Sequence, residues 1–298
     1  MLSLHTNAAA LSSQNAVGNT QKALNTSLTR LGTGFRVNSA MDDAAGLQIA
    51  VRLNAQTRGM AVAQKNTQNG ISMMQTAEGA FTELTNVLLR MKDLATEAYN
   101  ASSTQADKEA LQAEYDALGM ELNNIIRTTS FGGERLFSDG TATDGSVGLL
   151  ADAISFQIGA SAAETMTVDM GDSLTALATA LAAVSVQYAN PGNAPGTELT
   201  AATPPNEAVH PITLINEAIA AVGTMRAQLG AASNRLEHVY NNLGNMITNT
   251  TASRGRIMDV DYAQETANAT AKQLLMQAGT SALKQSSSLS QLVIALMH

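Results

Sequence analysis

The stretch RLGTGFRVNSAMDDAAGLQIA, Arg30 to Ala50, sets Gly32 and Gly34 ahead of two adjacent aspartates, Asp42 and Asp43. Glycine-rich backbone can cradle a phosphate, and carboxylates can hold a divalent cation. Both chemistries need more than is present. No Lys-Ser or Lys-Thr pair follows the glycines, and no strand pattern precedes them, so neither a phosphate loop nor a dinucleotide fingerprint is formed. Neighbouring residues on a helix do not share a face, so Asp42 and Asp43 do not converge on one ion. Two acidic residues at this place favour a helix start instead, where the backbone N–H groups and the dipole welcome negative charge. The four histidines, His5, His210, His238 and His298, include no pair three or four apart, and the chain has no cysteine. That excludes thiolate chemistry and the usual ligand spacings of zinc. No G-x-S-x-G elbow occurs. The 14 methionines mostly fall on helical seams, where they pack. No catalytic residue, metal or cofactor is expected, and the chain does not read as an enzyme.

What must then be explained is a long chain with little aromatic content. Aromatic residues make up 3% of the 298 residues, tryptophan is absent, and charged residues are only 14%. Ala, Leu, Ile and Met must build the core, which suits long helices packed side by side. The net charge of −8 with scattered basic residues argues against nucleic acid and anionic membrane as partners. No apolar run reaches the length of a membrane span. The opening MLSLHTNAAALSSQNAVGNT lacks the basic and apolar regions of a cleaved signal peptide.

The elements follow from periodicity. From Met74 the apolar positions alternate steps of three and four through Ala77, Phe81, Leu84, Leu88, Met91, Ala95 and Ala98. That is a heptad seam on a helix of roughly 29 residues, about 43 Å long. A second helix is predicted after NASSTQAD, with Leu111, Tyr115, Leu118, Leu122 and Ile125 on one face and Asp107 near its start. Ile212, Ile215, Ile219, Val222, Leu229, Leu236, Leu243 and Ile247 repeat the seam, with Arg226, Ser233 and Tyr240 in the remaining slots. Each end of the chain carries a weaker seam: Val17, Leu24, Leu28, Leu31 and Phe35 at one, Leu275, Ala278, Ala282, Leu289, Leu292 and Leu296 at the other. A single helix of that quality is marginal in water, so the ends are expected to order against each other or against further copies. In the middle, ISFQIGASAAETMTVDM alternates as a β-hairpin with its loop near Gly159–Glu164. SLTALATALAAVSV reads as a short apolar helix, and YANPGNAPGTELTAATPPNEAVHP as an exposed loop. The fold class is mainly α: a long helical hairpin or coiled-coil bundle formed by the N- and C-terminal segments, with a small β-hairpin region between.

LTRLGTGFRVNSAMDDAAGLQIAVRL closely resembles the N-terminal signature of bacterial flagellins. The likeness continues through NGISMMQTAEGAFTELTNVLLRMKDLATEA and QAEYDALGMELNNIIRTTSFGGERLF, and resumes at the far end with SRGRIMDVDYAQET and QAGTSALKQ. A short flagellin without large outer domains is the family implied. The resemblance implies an inner coiled-coil layer from residues 1–42 with 257–298, and an outer helical shell from 43–140 with 208–256. Residues 141–207 add a hairpin, a short helix and an exposed loop to that shell. Gly32, Gly34, Asn38, Asp42 and Asp43 become the joint between layers. Phe81, Leu84, Leu88, Met91, Leu229, Leu236 and Leu243 become the shell core. Leu24, Leu28, Leu31, Leu275, Leu289, Leu292 and Leu296 become the terminal assembly seam. Arg90, Leu94 and Glu114 stand where many flagellins meet a host Toll-like receptor or pack between subunits. Met41 stands where the family commonly has Lys.

The implied function is a self-assembling structural subunit of an extracellular flagellar filament for swimming. The implied partners are further copies, hook-associated junction and cap proteins, an export chaperone and the type III export apparatus. The alternative within the same likeness is a hook–filament junction protein, which shares similar termini. A chemoreceptor-like signalling hairpin would need a membrane span and a Glu-rich heptad hairpin, and the sequence has neither.

Overall fold

The computed structural model describes residues 8–192, 194–201 and 210–296, with side chains at the C-terminal end as far as residue 286 and at 288. Seven helices are described: α1 (Ala8–Thr33), α2 (Ala44–Ala98), α3 (Gln105–Thr128), α4 (Gly171–Val184), α5 (Val186–Ala189), α6 (Pro211–Met258) and α7 (Tyr262–Leu296). Two antiparallel hairpins lie between α3 and α4: β1 (Ser130–Phe131) with β2 (Glu134–Arg135), and β3 (Ile154–Gln157) with β4 (Thr165–Val168). The chain divides into two compact units. One takes the residues up to Thr57 with those from Thr248 onward, and the other runs from Arg58 to Ile247. The division therefore falls inside α2 and α6.

In the larger unit, one apolar cluster carries the fold. The expected heptad of α2 is buried throughout, with Phe81, Leu84, Leu88 and Met91 each 0% exposed. Leu229 and Leu236 of α6 pack in the same cluster, while Leu243 joins Met60 and Ala63 in a smaller one. α2 begins 30 residues before the Met74 seam, at Ala44. Three interior glycines, Gly59, Gly70 and Gly79, weaken its propensity, and the first two are places of close approach. A Cβ on Gly70 would lie 3.0 Å from the Phe156 ring and 3.2 Å from Leu236, and one on Gly59 would lie 2.7 Å from the Ala160 Cβ. The β3–β4 hairpin can thus lie on α2 only because side chains are missing there.

The register of α6 differs from expectation. Met225 and Ala232 occupy the buried slots assigned to Arg226 and Ser233. Arg226 instead donates from Nε to Glu78 Oε1 at 2.8 Å, with both side chains partly in water. A guanidinium beside a buried seam gains more from a carboxylate and solvent than from desolvation.

α3 also turns a different face inward. Gln112, Tyr115, Asp116, Gly119, Leu122, Asn123 and Ile126 are buried, while Leu111, Leu118 and Ile125 lie at the edge. The reason is a polar cluster that anchors the segment after α5. Gln112 donates to Asp116 Oδ1 and to Glu198 Oε2, both at 2.8 Å, and accepts from the Leu199 N–H at 2.7 Å. Asp116 Oδ2 accepts from Gly196 N–H at 3.0 Å, and Glu198 Oε1 from Val186 N–H at 2.8 Å. A loop with few apolar residues is held by satisfying its backbone donors. The start of α3 is a capping box: Thr104 is the cap, and Asp107 is its reciprocal partner. The β1–β2 hairpin, absent from the sequence expectations, turns on Gly132 and Gly133, both with positive φ. The Phe-Gly-Gly-Glu tetrapeptide there is a recognisable two-residue hairpin signal.

Phe81 meets Phe137 with ring centroids 4.8 Å apart and planes tilted by 46°. Truncating the first ring leaves a cavity among side chains that cannot collapse into it. Phe81→Ala is expected to destabilise the Arg58–Ile247 unit by about 3–5 kcal/mol. Urea unfolding followed by circular dichroism measures this, and a midpoint unchanged from wild type would show the ring pair to be dispensable.

Candidate functional site

The connection between α1 and α2 and the connection between α6 and α7 lie side by side in the smaller unit. α1 stops because Gly34 takes φ 76°, and its N–H donates to Arg30 O at 2.9 Å. This is the left-handed close of a helix that glycine alone adopts without strain. The chain then runs antiparallel to the end of α6. Phe35 forms a β-bridge with Asp259, Arg36 N–H donates to Met258 O at 2.6 Å, and Val260 N–H donates to Gly34 O at 3.0 Å. The Arg36 guanidinium adds a bond to Ile257 O at 2.8 Å, and Val37 beside it is 2% exposed.

Asp42 organises the turn that follows. Its Oδ2 accepts from Asn38 N–H at 3.1 Å, Ser39 N–H at 2.9 Å and the Ser39 hydroxyl at 3.1 Å. The backbone donor of Asn38, and after it that of Ser39, hold the Asp42 carboxyl below its usual value. Asn38 itself donates from Nδ2 to Phe35 O at 2.8 Å. Asp43 turns the other way, and its Oδ1 accepts from Gly46 N–H at 2.8 Å and caps α2. The paired aspartates thus face two different backbone sites. Gly32, expected to lend latitude to the joint, lies inside α1, and a Cβ there would meet nothing within 4 Å. Of these two, Gly34 is the one that needs to be glycine: its φ is positive and its Cβ would also lie 2.9 Å from the Tyr262 hydroxyl. Asp261, which sequence reasoning did not single out, caps α7 by accepting from Ala263 N–H at 3.0 Å and Gln264 N–H at 3.2 Å. The Asp-x-x-Gln spacing at the start of that helix was the available signal.

α1 and α7 pair beyond the connections. The stripe of α1 turned inward is Ala10, Ser13, Val17, Thr20, Leu24, Ser27 and Leu31, an unbroken heptad of which only Leu24 and Ser27 are fully buried. The matching stripe of α7 runs through Glu265, Ala269, Lys272, Met276, Gly279 and Leu283. Lys272 Nζ donates to Ser27 Oγ at 2.7 Å. Arg30 lies 3.8 Å from Asp42 and 3.9 Å from Glu265, whose Oε1 is buried with no partner among the described residues. Leu28 and Leu275, both expected in the seam, are 54% and 62% exposed, and Phe35 is 41% exposed. The pair meets along its small and polar stripe because helices approach closely there: a Cβ on Gly279 would lie 2.7 Å from Val17 Cγ2. Leu11 and Leu274 are likewise left in water, at 61% and 60%. Leu289, Leu292 and Leu296 lie outside the residues whose side chains are described.

Of the three residues expected to meet a receptor, Arg90 and Glu114 are exposed and form an ion pair at 2.6 Å between α2 and α3. Leu94 is 1% exposed and packs in the core, so the folded chain offers no surface from it. Among the described residues no group of three or more His, Cys, Asp or Glu could hold a metal ion, and no helix is long and apolar enough to cross a membrane.

Residues 4–142 match the family model of the bacterial flagellin N-terminal helical region, and residues 212–297 that of the C-terminal helical region. Flagellin A of Vibrio anguillarum is 32% identical over an alignment of 377 positions that covers 100% of both chains. Flagellin B of Vibrio cholerae is 34% identical, covering 95% of this chain and 96% of its own. Both alignments are longer than the 298 residues here, so the relatives carry insertions that this chain lacks. Among solved structures, a Bacillus cereus flagellin is 29% identical with a TM-score of 0.44, covering 60% of this chain and 88% of that one.

Two expected outcomes follow from the geometry of the joint. Gly34→Ala should destabilise the smaller unit, because a side chain is forced into positive φ against Tyr262. Gly32→Ala should be neutral or stabilising by up to about 1 kcal/mol, since alanine is the better helix former. Thermal unfolding of the two variants measures the contrast, and equal effects would show that the Gly34 conformation is not required. Asp42, with its carboxyl pKa lowered in the folded chain, contributes stability present above its ordinary value of 3.8 and lost as pH falls through the folded value. Hydrogen-exchange protection of the Asn38 and Ser39 amides should therefore hold from neutral pH to that point and decline below it. In Asp42→Asn that decline should be absent.

Proposed function

The chain belongs to the bacterial flagellin family and is a structural subunit of the flagellar filament, not an enzyme; from that premise we propose that the α1–α7 pair is its assembling element. The observation that carries this is the partition of leucines. The stripe joining α1 to α7 is small and partly polar, while Leu11, Leu28, Leu274 and Leu275 stay in water. Burying one such side chain against another copy contributes about 1.5–3 kcal/mol, and a helical polymer repeats that gain at every subunit. Leu24 and Leu31 hold the pair together. The inner layer is built from the residues before α2 and after α6. The Gly34–Asp43 connection is the joint to an outer layer built on the Phe81–Met91 and Leu229–Leu243 core.

A terminal pair of this kind is suited to passage as an unfolded chain. Its separate helices gain little alone, so the chain can leave through a type III export apparatus, escorted by a chaperone. Junction and cap proteins bound the polymer at its two ends. A host Toll-like receptor would meet the exposed Arg90–Glu114 pair, with Leu94 supporting α2 from beneath.

Seeded polymerisation tests the reading. Purified protein added to short filament fragments is expected to grow long uniform tubes visible by negative-stain electron microscopy. Chains lacking residues before Met41 or after Met258 are expected to keep a folded Arg58–Ile247 unit and to grow none. Tubes of normal length from either truncated chain would overturn the assignment of assembly to α1 and α7.

A further inference from the structure

The α1–α7 pair meets along a stripe that apolar burial alone does not select. On α1, a line through Leu24, Leu28 and Leu31 puts Leu28 in the place of Ser27. On α7, a turn of one residue exchanges Lys272, Met276, Gly279 and Leu283 for Ala271, Leu275, Ala278 and Ala282, which takes the ammonium out of the contact. Those rotations close Leu28 and Leu275 inside one chain. The structure instead leaves both leucines mostly in water and covers Ser27 completely. A polar contact sits where the stripe departs from the apolar line. Lys272 Nζ donates to Ser27 Oγ at 2.7 Å and to Ala23 O at 3.4 Å. Nearer the joint, Arg30 lies 3.9 Å from the carboxylate of Glu265, a residue more than nine-tenths buried. A charge-assisted bond such as that of Lys272 is stronger than a neutral one. A small rotation of either helix leaves the hydroxyl and the ammonium covered without partners, so the bond defines one narrow phase.

We propose that Lys272, acting through Ser27, is a positioning residue of the α1–α7 pair: it fixes the rotation of the two helices so that Leu28 and Leu275 stay outside for a neighbouring copy instead of closing within one chain. The inference rests on the filament reading above. A polar side chain in a helical seam fixes one arrangement at some cost in stability. The role is therefore separable from plain stabilisation. With an apolar side chain at 272, the pair is free to turn toward its more apolar line. The chain then holds together at least as well as before, while the leucines offered to other copies are withdrawn. Arg30 and Glu265 support the same phase from the joint, and Gly279 allows the close approach that the phase requires.

The chain has no cysteine, so an introduced pair reports the phase directly. A Cβ on Gly279 would stand 4.0 Å from the Val17 Cβ, a span that a disulfide bridges. Val17→Cys with Gly279→Cys is placed in an otherwise wild-type chain, beside Lys272→Met and beside Lys272→Arg. Each variant is mixed as a minor fraction with wild-type subunits, grown on filament seeds and oxidised in the polymer. A thiol-reactive dye then sees the variant alone: its open pairs before reduction, and the amount incorporated after it. The pair is expected to close in the otherwise wild-type chain and in Lys272→Arg, which keeps a cationic donor. In Lys272→Met the closed fraction is expected to fall severalfold and incorporation about tenfold, which corresponds to about 1.4 kcal/mol. The melting curve of free Lys272→Met is expected to hold or rise. The proposal is overturned if the pair closes equally in Lys272→Met, if it stays open in the otherwise wild-type chain, or if Lys272→Arg behaves as Lys272→Met does. It is equally overturned if the phase changes while incorporation does not, or if Lys272→Met melts earlier or is excluded from the polymer altogether. Wild-type subunits that fail to extend seeds count against the filament reading instead. Closure of the pair in free chains, compared between Lys272 and Lys272→Met, then still decides whether Lys272 sets the phase.

Discussion

The short antiparallel pairing of Gly34–Arg36 with Met258–Val260 is the constraint on which the terminal unit depends. It joins segments more than 200 residues apart, using backbone groups that the ends of α1 and α6 leave without helical partners. Once those groups are paired, α1 and α7 leave their connections as neighbours. The loop entropy of bringing the chain's two ends together has been met at one place. Everything around the pairing protects it. Gly34 turns the chain, the Arg36 guanidinium reaches Ile257, Asp42 satisfies the donors of the turn, and Asp43 and Asp261 satisfy those at the starts of α2 and α7. The likeness of this stretch to a ligand site is thereby explained: glycine and aspartate are used here for their backbone chemistry.

The larger unit is held by a different balance. Its helices bury apolar heptads almost completely, and two of the interior glycines of α2, Gly59 and Gly70, are spent on close contact with the hairpin. Where the seams run out, polar clusters take over. Gln112, Asp116 and Glu198 hold a loop through its N–H groups, and Tyr115 and Tyr188 donate to the Val184 and Thr143 carbonyls from inside the core. Burial pushes both phenols well above their usual range, so they remain protonated donors. The α1–α7 pair leaves leucines in water and spends its contact face on Ser27, Lys272 and Gly279, which is the distribution expected of an element whose burial is finished by other copies.

Much of this was legible in the chain. The α2 seam, the hairpin at Ile154–Val168, the short helix after it and the start of a helix beyond Asp43 were all set by periodicity and turn chemistry, which are local. The family likeness lay in motifs at both ends and is matched by the family models over residues 4–142 and 212–297. The phase of several helices was less legible. Arg226 and Met225, or Leu28 and Ser27, are neighbours in sequence, and a heptad that admits Ala, Ser and Thr can be drawn through either.

What the sequence determined by itself was thus the helix content and the kinship, since each is written in residue types and spacings. What only the tertiary structure decided was which stripe of each weak helix faces inward, that Leu94 is covered, and that Gly34 and not Gly32 makes the turn. Those choices depend on how closely two backbones can approach and on which distant carbonyl completes each donor. Neither quantity belongs to any one stretch of the chain.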